Sequence, residues 1–514
     1  MAGVAPKNGP SKTEDEIKAD ELHVRQIEAE KALKSANAPW WRRADPLTLA
    51  ILAAAGSLVG NILSEHGKAK DDQALEQTKA QYNLVLQAMA TNDAAAAKRN
   101  IHFFIDAGLL ADGDCRIRNA IDSDNPVLPS LSGTAPAGPA NLLSPPLVAS
   151  LYNFPPGVDG RGQTIGIVEF GGGFDRKDLE QYFSRLKLPV PEIIAVPVNG
   201  GGNHPSMTDD GTDMQTAMDI EIAAGTAPRA HLKVYFAPVP KTEGFNAADF
   251  AQAVRQATAD QVSVLLIGWG LTESRWKDED IKLVDGALEQ AAKQGITVIA
   301  LSGENGVTDG MTDGRRHVSY PASSPWVLSV GGTTVKIEDG KIKSEKIWRD
   351  GQSATGGGVS EKFARPDWQN GVKVPLRADG STGRGLPDVV ATADPAVGYT
   401  LFVHGNAVVV GGTGAVVPLW GGLIALLNQA NGHNLGYVTP RFYREFGPAK
   451  LFREITEGDN GVSGVTGFKA GPGWTPVAGW GSPDGVKLIN WLRTHPDGTS
   501  TAANVTACPA TTSQ

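Results

Sequence analysis

The residue types that most often carry chemistry lack the spacing of a familiar site in this sequence. The nine histidines are scattered, with no H-E-x-x-H pattern and no close pair at metal spacing. Cys115 and Cys508 are the only cysteines, and neither a disulfide framework nor a thiolate metal site can be built from them alone. The glycine run 356–358 lacks the lysine of a phosphate-binding loop, and no G-x-S-x-G elbow is present. We therefore expect no cofactor.

Length and charge narrow the classes of protein further. At 514 residues the chain exceeds one typical hydrophobic core, so two or more domains are expected. The formal net charge of −9 disfavours a nucleic-acid-binding surface, which needs clustered lysine and arginine. We expect no nucleic-acid partner.

The amino-terminal region begins with a polar arm, residues 1–45, in which lysine and glutamate alternate with a few aliphatic residues. A solvated helix or a disordered arm is the simpler interpretation, and a short coiled coil is the alternative. Residues 46–63 follow without a charged residue, after Trp40, Trp41, Arg42 and Arg43. That pattern predicts a transmembrane helix at the short end of the usual length, or else a buried helix of a soluble domain.

The same apolar segment suggests how the chain is anchored and paired. Gly56 and Gly60 form a G-x-x-x-G pair, which allows two helix backbones to approach closely and hints at a homodimer. Basic residues lie on both sides of the segment, with a slight excess before it. The chain is therefore expected to be a single-pass membrane protein. The α/β region that follows the segment is expected on the opposite side of the membrane from the amino terminus.

The elements after this segment divide into helical and α/β parts. Apolar periodicity predicts a helical hairpin over 67–120, and proline, serine and glycine predict a linker over 121–146. Residues 147–495 alternate strand-like and helical patterns, which predicts a parallel sheet with helices on both faces. Residues 496–514 are expected to be a disordered tail. Strands are predicted at 164–170, 231–236, 263–269, 296–302 and 327–332, and helices at 213–224 and 284–294.

Several segments of the α/β region resemble the sedolisin family of serine-carboxyl peptidases. They are SLYNFPPGVDGRGQTIGIVEFGGGF, MDIEIAAGTAPRAHLKVYFAP, LLIGWGLTES, SATGGGVSEKF through GRGLPDVVATADP, and VVVGGTGAVVPLWGGLIALLNQ. They follow the family's order along the chain, which is more specific than any single short motif. The resemblance implies an α/β, subtilisin-like fold, here preceded by an all-α membrane-anchor region.

The resemblance also implies which positions held the family's catalytic groups. The family pattern G-T-S-A-x-x-P matches a segment in which Gly414 replaces the nucleophilic serine. Gln215 replaces the glutamate base, and Asp219, four residues later, matches the aspartate behind it. Glu304 replaces the oxyanion aspartate with an acid one methylene longer. An amide cannot accept the nucleophile's proton. Asp219, without its glutamate partner, is expected to be an ordinary helix carboxylate.

Two further sets of family positions remain recognisable. Glu169 and Trp269 match residues that flank the catalytic carboxyls in the family, or else pack structurally at strand ends. The family's calcium site falls on five positions, in which both family aspartates are replaced, by Glu454 and Thr475. The five are Glu454, Ile455, Gly471, Gly473 and Thr475. Calcium prefers six to eight oxygens with carboxylates among them, so at most a weak site is expected.

The sequence thus predicts a membrane-anchored, sedolisin-like pseudopeptidase that is catalytically inactive and binds a polypeptide or a partner subunit. One alternative is an active serine-carboxyl type endopeptidase that uses an unconventional nucleophile, such as Thr413 or Ser302, beside Asp219 and Glu304. Another is a structural or oligomerisation module whose old cleft is filled by its own loops.

Overall fold

A central, mostly parallel sheet organises the domain. The computed structural model describes residues 143–206, 211–240, 244–351 and 353–495. In chain order, the strands are β1 (Thr164–Phe170), β2 (Ile193–Pro197), β3 (His231–Ala237), β4 (Val264–Ile267), β5 (Leu271–Thr272), β6 (Thr297–Leu301), β7 (Ser319–Tyr320), β8 (Leu328–Glu338), β9 (Lys341–Ile347), β10 (Arg349–Asp350), β11 (Ser353–Ala354), β12 (Gly358–Val359), β13 (Gly385–Leu386), β14 (Val389–Thr392), β15 (Tyr399–Val403) and β16 (Asn406–Val410).

The strand order of the sheet is β14-β8-β6-β4-β1-β3-β2, and every pair on this path is parallel. Strand β9 adds to β8 in the antiparallel direction, and the other strands form two-stranded ribbons. The central strands β4 and β6 are buried along their whole length. Helices must therefore cover both faces of the sheet.

The helices occupy the two faces as the sequence pattern predicts. They are α1 (Pro145–Leu151), α2 (Arg176–Leu186), α3 (Thr212–Thr226), α4 (Ala247–Ala259), α5 (Asp278–Lys293), α6 (Thr413–Asn431), α7 (Thr439–Arg441) and α8 (Gly485–Thr494). Helices α4 and α5 pack together in one core cluster, whereas α3, α6 and α8 contribute to the other. The expected α/β, subtilisin-like architecture is therefore confirmed.

Helix α6 runs through the core. Its first sixteen residues, from Thr413 to Asn428, are all buried. Among the described residues it is also the one helix whose length and composition would allow it to cross a membrane. Within this helix, 89% of the most apolar 18-residue stretch is buried in the domain, so burial within the protein explains its apolar character.

Two element boundaries differ from the sequence prediction by more than two residues, each for an identifiable reason. Helix α5 begins at Asp278, six residues before the predicted start, because its first turn is acidic and its apolar stripe begins only at Ile281. Strand β8 continues to Glu338, beyond the predicted end at 332, because its polar second half pairs with β9. At the start of the domain, Leu143 bridges to Tyr399.

Several predictions concern residues that lie outside the described ranges. These are the polar arm 1–45, the transmembrane helix 46–63 with Gly56 and Gly60, the helical hairpin 67–120, most of the linker 121–146 and the tail 496–514. They stay predictions.

Candidate functional site

The positions that match the family's catalytic groups, and the two that flank them, converge at the carboxyl ends of three adjacent strands. Glu169 lies near the end of β1, Trp269 follows β4, and Glu304 follows β6. Helices α3 and α6 approach the same edge and carry the remaining positions. Ligand sites of open α/β sheets lie at this edge, because the loops after the strands diverge there.

Helix α3 places Gln215 and Asp219 one turn apart on one face. Gln215 Nε2 donates a hydrogen bond to Asp219 Oδ2 at 3.3 Å. Both side chains press against the backbone of Gly268, where a Cβ atom would come within 2.6 Å of Asp219 Oδ2. Glycine at 268 is therefore required by the close approach of this pair to the chain after β4.

Glu169 and Trp269 join the same network from the sheet. Trp269 Nε1 donates to Glu169 Oε2 at 2.8 Å, and the Glu169 and Asp219 side chains are also hydrogen-bonded to one another. Their other oxygens, Glu169 Oε1 and Asp219 Oδ1, have no separate donor among the described residues. One proton held between the two carboxyls accounts for both observations.

Burial sets the charge of this carboxyl pair. Desolvation raises the pKa of Asp219 to about 7, although hydrogen bonds from Gln215 and Glu169 pull it down. Desolvation, followed by the charge of Asp219, raises the pKa of Glu169 well above its ordinary value. The expectation that Asp219 is an ordinary helix carboxylate is therefore wrong, because it is fully buried and belongs to a polar network with Gln215, Glu169 and Trp269.

Gly414 lies at the start of α6, facing this network. A Cβ atom there would lie 3.5 Å from Gln215 Oε1 and 2.9 Å from Met218 Cε. A side chain at 414 would therefore point towards the Gln215–Asp219 pair, as a nucleophile pointing at its base must. Glycine supplies no atom in that direction.

Glu304 lies against the amino terminus of α6. Its Oε1 accepts a hydrogen bond from the Gly414 backbone N–H at 3.1 Å, and the backbone N–H of Thr413 also bears on this carboxyl. Gly412, at φ +90°, leaves room for the carboxyl, because a Cβ atom there would overlap it. Burial raises the pKa of Glu304, and these hydrogen bonds lower it in part.

The two hydroxyls proposed as substitute nucleophiles are engaged elsewhere. Thr413 Oγ1 donates to the Gly303 carbonyl at 3.0 Å, and Ser302 Oγ donates to the Gly356 carbonyl at 3.1 Å. Both side chains are fully buried. Each hydroxyl thus gives its one proton to a backbone carbonyl, which cannot act as a general base.

The family's calcium positions are close together but form a poor calcium site. Glu454 Oε1 accepts the Gly473 backbone N–H at 3.1 Å, and Thr475 Oγ1 accepts the Ala478 N–H at 3.2 Å. Ile455 is buried. Across the described ranges, no three His, Cys, Asp or Glu side chains are grouped to hold a metal ion. One carboxylate and one hydroxyl, each already bonded to an amide, do not fit the ion.

Sequence reasoning missed two contributors to the site. Met218 places its terminal methyl group beside Gly414, and only its position before Asp219 hinted at this. Asp213 is buried in the first turn of α3, where it accepts the Gly173 N–H at 2.7 Å and pairs with His404 Nε2 at 2.7 Å. Asp213 thereby ties α3 to the turn between β15 and β16. An acid in a helical first turn is a common feature, so the sequence alone could not single it out.

Several known peptidases are similar to this chain in sequence. The Peptidase_S8 model, described as the subtilase family, matches residues 194–446. Kumamolisin of Bacillus sp. (strain MN-32) is 42% identical over 353 residues, covering 67% of this chain and 62% of that protein. Sedolisin of Pseudomonas sp. (strain 101) is 30% identical over 385 residues, covering 71% and 64%. The chain thus spans a little under two thirds of the length of these curated relatives.

A solved structure is also similar. It is described as Pseudomonas sedolisin, a serine-carboxyl proteinase, complexed with two molecules of pseudo-iodotyrostatin. The match has a TM-score of 0.63 at 29% identity, and it covers 69% of this chain and 99% of that one. Nearly the whole of the solved domain therefore has a counterpart here.

Proposed function

The described domain belongs to the sedolisin family, and on that premise we propose that the chain is a pseudopeptidase, which binds a polypeptide along its cleft without cleaving it. One observation carries the proposal: position 414, which faces the Gln215–Asp219 pair, is glycine. Without a side-chain oxygen no acyl-enzyme can form. Removal of a whole triad from a comparable hydrolase costs about 10⁶ in turnover.

The proton-transfer group is missing as well. Gln215 holds the place of the base, and an amide takes up no proton at working pH. Asp219 cannot replace it, because its Oδ2 is bonded to Gln215 and the carboxyl is closed off beneath it. Restoring a serine alone would therefore leave that serine without a base.

An unconventional nucleophile is the rival proposal, and nothing in the geometry favours it. The hydroxyls of Thr413 and Ser302 are buried and donate to backbone carbonyls. To attack a substrate, either residue would have to break that bond and turn towards the cleft.

Peptide binding is supported by the framework that surrounds the lost nucleophile. Trp269 is held by Glu169 and packs edge-on against Phe170 and Phe245, with ring centroids 6.0 and 6.2 Å apart. These contacts keep an aromatic wall beside the carboxyl ends of β1 and β4. The related Pseudomonas sedolisin was solved with pseudo-iodotyrostatin bound, and we extend its capacity to hold a ligand to this domain.

We also propose that residues 46–63 anchor the chain in a membrane as a single pass. The support is the uncharged run itself with Trp40 and Trp41 before it. Gly56 and Gly60 make that segment the proposed contact of a homodimer. Partition of the full chain into detergent, and its loss on deleting 46–63, tests the anchor. Full recovery in the aqueous phase without detergent would contradict it.

Hydrolysis of peptides by the full chain tests the pseudopeptidase proposal. The native protein and a Gly414→Ser, Gln215→Glu, Glu304→Asp triple variant are incubated with a mixed peptide pool from about pH 3 to pH 7. We expect no turnover by the native protein above the peptide-only background, and turnover by the variant at least about 100-fold above that background. Comparable turnover by both would refute the proposal, and binding of labelled peptides to the native protein tests its second half.

A further inference from the structure

The Glu304 carboxyl stands where the carbonyl oxygen of a cleaved peptide bond would be bound. In serine proteases of the chymotrypsin type, the backbone N–H of the nucleophilic residue is one of the donors that bind that oxygen. Here the N–H of Gly414 points at Glu304 Oε1 instead, at 3.1 Å. Resting on the proposed function, we propose that Glu304 is an internal ligand of this cradle, so that the cleft accepts internal peptide segments and rejects peptides that end there in a free carboxylate.

The cradle is built around this side chain from several directions. The backbone of Thr413 bears on the same carboxyl, and Gly412 adopts φ +90° beside it. A Cβ atom at Gly412 would overlap the carboxyl, so glycine is needed there both for its backbone angle and for space. The nineteen-residue helix α6 begins at this point, and its dipole favours a negative group.

The backbone that carries Glu304 is fixed on the opposite side. The Glu304 carbonyl accepts the Ala354 N–H at 3.0 Å, and the Gly303 carbonyl accepts the Gly356 N–H at 2.7 Å. The loop after β6 therefore cannot withdraw as a unit without breaking these bonds. Only rotation of the side chain can empty the cradle.

This arrangement separates two classes of ligand. A bound peptide whose chain continues beyond the position facing Gly414 offers a neutral carbonyl there. This carbonyl can replace the Glu304 carboxyl once the Glu304 side chain turns away. A peptide that ends at this point offers a carboxylate, which is repelled by the ionised Glu304 carboxyl at this short distance. Glu304 thus acts as a specificity residue that excludes product-like chain ends.

Chemical rescue tests the internal ligand without any peptide. Glu304→Ala leaves a carboxylate-sized space at the start of α6, and Glu279→Ala is the matched control, since Glu279 is an exposed acid in the first turn of α5. We expect Glu304→Ala to lower the Tm of the full chain and sodium acetate to restore at least half of the loss, whereas sodium chloride at equal ionic strength restores none. The native protein and Glu279→Ala should not respond to acetate. An unchanged Tm in Glu304→Ala, or an equal acetate response in Glu279→Ala, would overturn the inference.

Peptide binding tests whether the cleft rejects peptides that end in a free carboxylate. The experiment uses Glu304→Gln, which keeps the shape of the Glu304 side chain but removes its charge. Matched tetrapeptide pools with an amide or an acid at the carboxyl end are titrated into the native full chain and into Glu304→Gln. We expect the native protein to bind amides at least 10-fold more tightly than acids, and Glu304→Gln to reduce this ratio below about 3-fold. Equal binding of both pools to the native protein overturns the inference. Binding of neither pool refutes the proposed function instead, and the acetate result then decides the inference alone. If Glu304→Ala fails to fold, the comparison with Glu304→Gln decides it.

Discussion

Adding back the missing base should destabilise the domain in a pH-dependent way. In Gln215→Glu, a carboxyl would take the place of an amide whose Nε2 lies 3.3 Å from Asp219 Oδ2. Two ionised groups at that distance repel by about 5 kcal/mol at an effective dielectric constant of ~20. The new acid can escape by keeping its proton, which at pH 8 costs about 1.36 × (8 − 4.3), or roughly 5 kcal/mol. Either route therefore limits the loss of stability to about 5 kcal/mol at pH 8.

Proton linkage determines whether the loss of stability in Gln215→Glu grows or shrinks as the pH rises. The folded protein raises the pKa of the new acid above its unfolded value of ~4.3, so the folded state binds a proton that the unfolded state releases. The penalty is absent below about pH 4 and grows as the pH rises towards the folded-state pKa. At pH 4 the variant should therefore lose less than about 1 kcal/mol.

Urea unfolding of the full chain at pH 4 and pH 8 measures this difference. Gln290→Glu, at an exposed position on α5, is the matched control, and it should change stability by less than about 0.5 kcal/mol at both pH values. A Gln215→Glu loss that is equal at the two pH values, or absent at pH 8, would refute the buried carboxyl network.

Three further outcomes follow from the same geometry. The native protein should lose on the order of 3 kcal/mol of stability between pH 5 and pH 8, because the pKa of Asp219 is raised to about 7; its proton stabilises the folded state below that pH and is lost above it. Urea unfolding across this range checks it, and a flat profile that Asp219→Asn does not alter would count against it. Gly414→Ser alone should cost about 1 kcal/mol, because only the flexible end of Met218 must move, and a peptidase assay should still find no turnover because the base is absent. EDTA should leave the Tm of the native protein unchanged. The double variant Glu454→Asp, Thr475→Asp should instead show a rise in Tm when calcium is added. A native Tm that falls in EDTA would show that calcium is bound after all.

Sequence patterns were sufficient for elements whose signal is local. Strand β1 has the predicted bounds, because an apolar run between a glycine-rich turn and a glycine triplet leaves little choice. The start of α5 was missed because acidic first-turn residues carry no periodic apolar signal, although they suit a helix amino terminus. The second half of β8 was missed because it is partly exposed and owes its conformation to pairing with β9.

The site shows the same division between local and distant contacts. Gln215 and Asp219 are four residues apart on one helix, so the sequence alone predicts that they lie one turn apart on the same face. Glu169 approaches Asp219 from a different strand, and the shift in pKa that results depends on burial, which no spacing reveals. The bond between Glu304 and the Gly414 N–H joins residues 110 positions apart. The resemblance identified these positions, but only the folded chain shows that the longer acid reaches the cradle.

The most direct test of the account is whether the native chain can form a covalent bond with a substrate carbonyl. A ¹³C-labelled peptide aldehyde is added to the full chain, and carbon NMR reports whether the labelled carbon becomes an enzyme-bound hemiacetal. We expect no such resonance from the native protein and a clear one from the Gly414→Ser, Gln215→Glu, Glu304→Asp variant, which regains an oxygen nucleophile and its base. An enzyme-bound hemiacetal on the native chain would contradict the central claim.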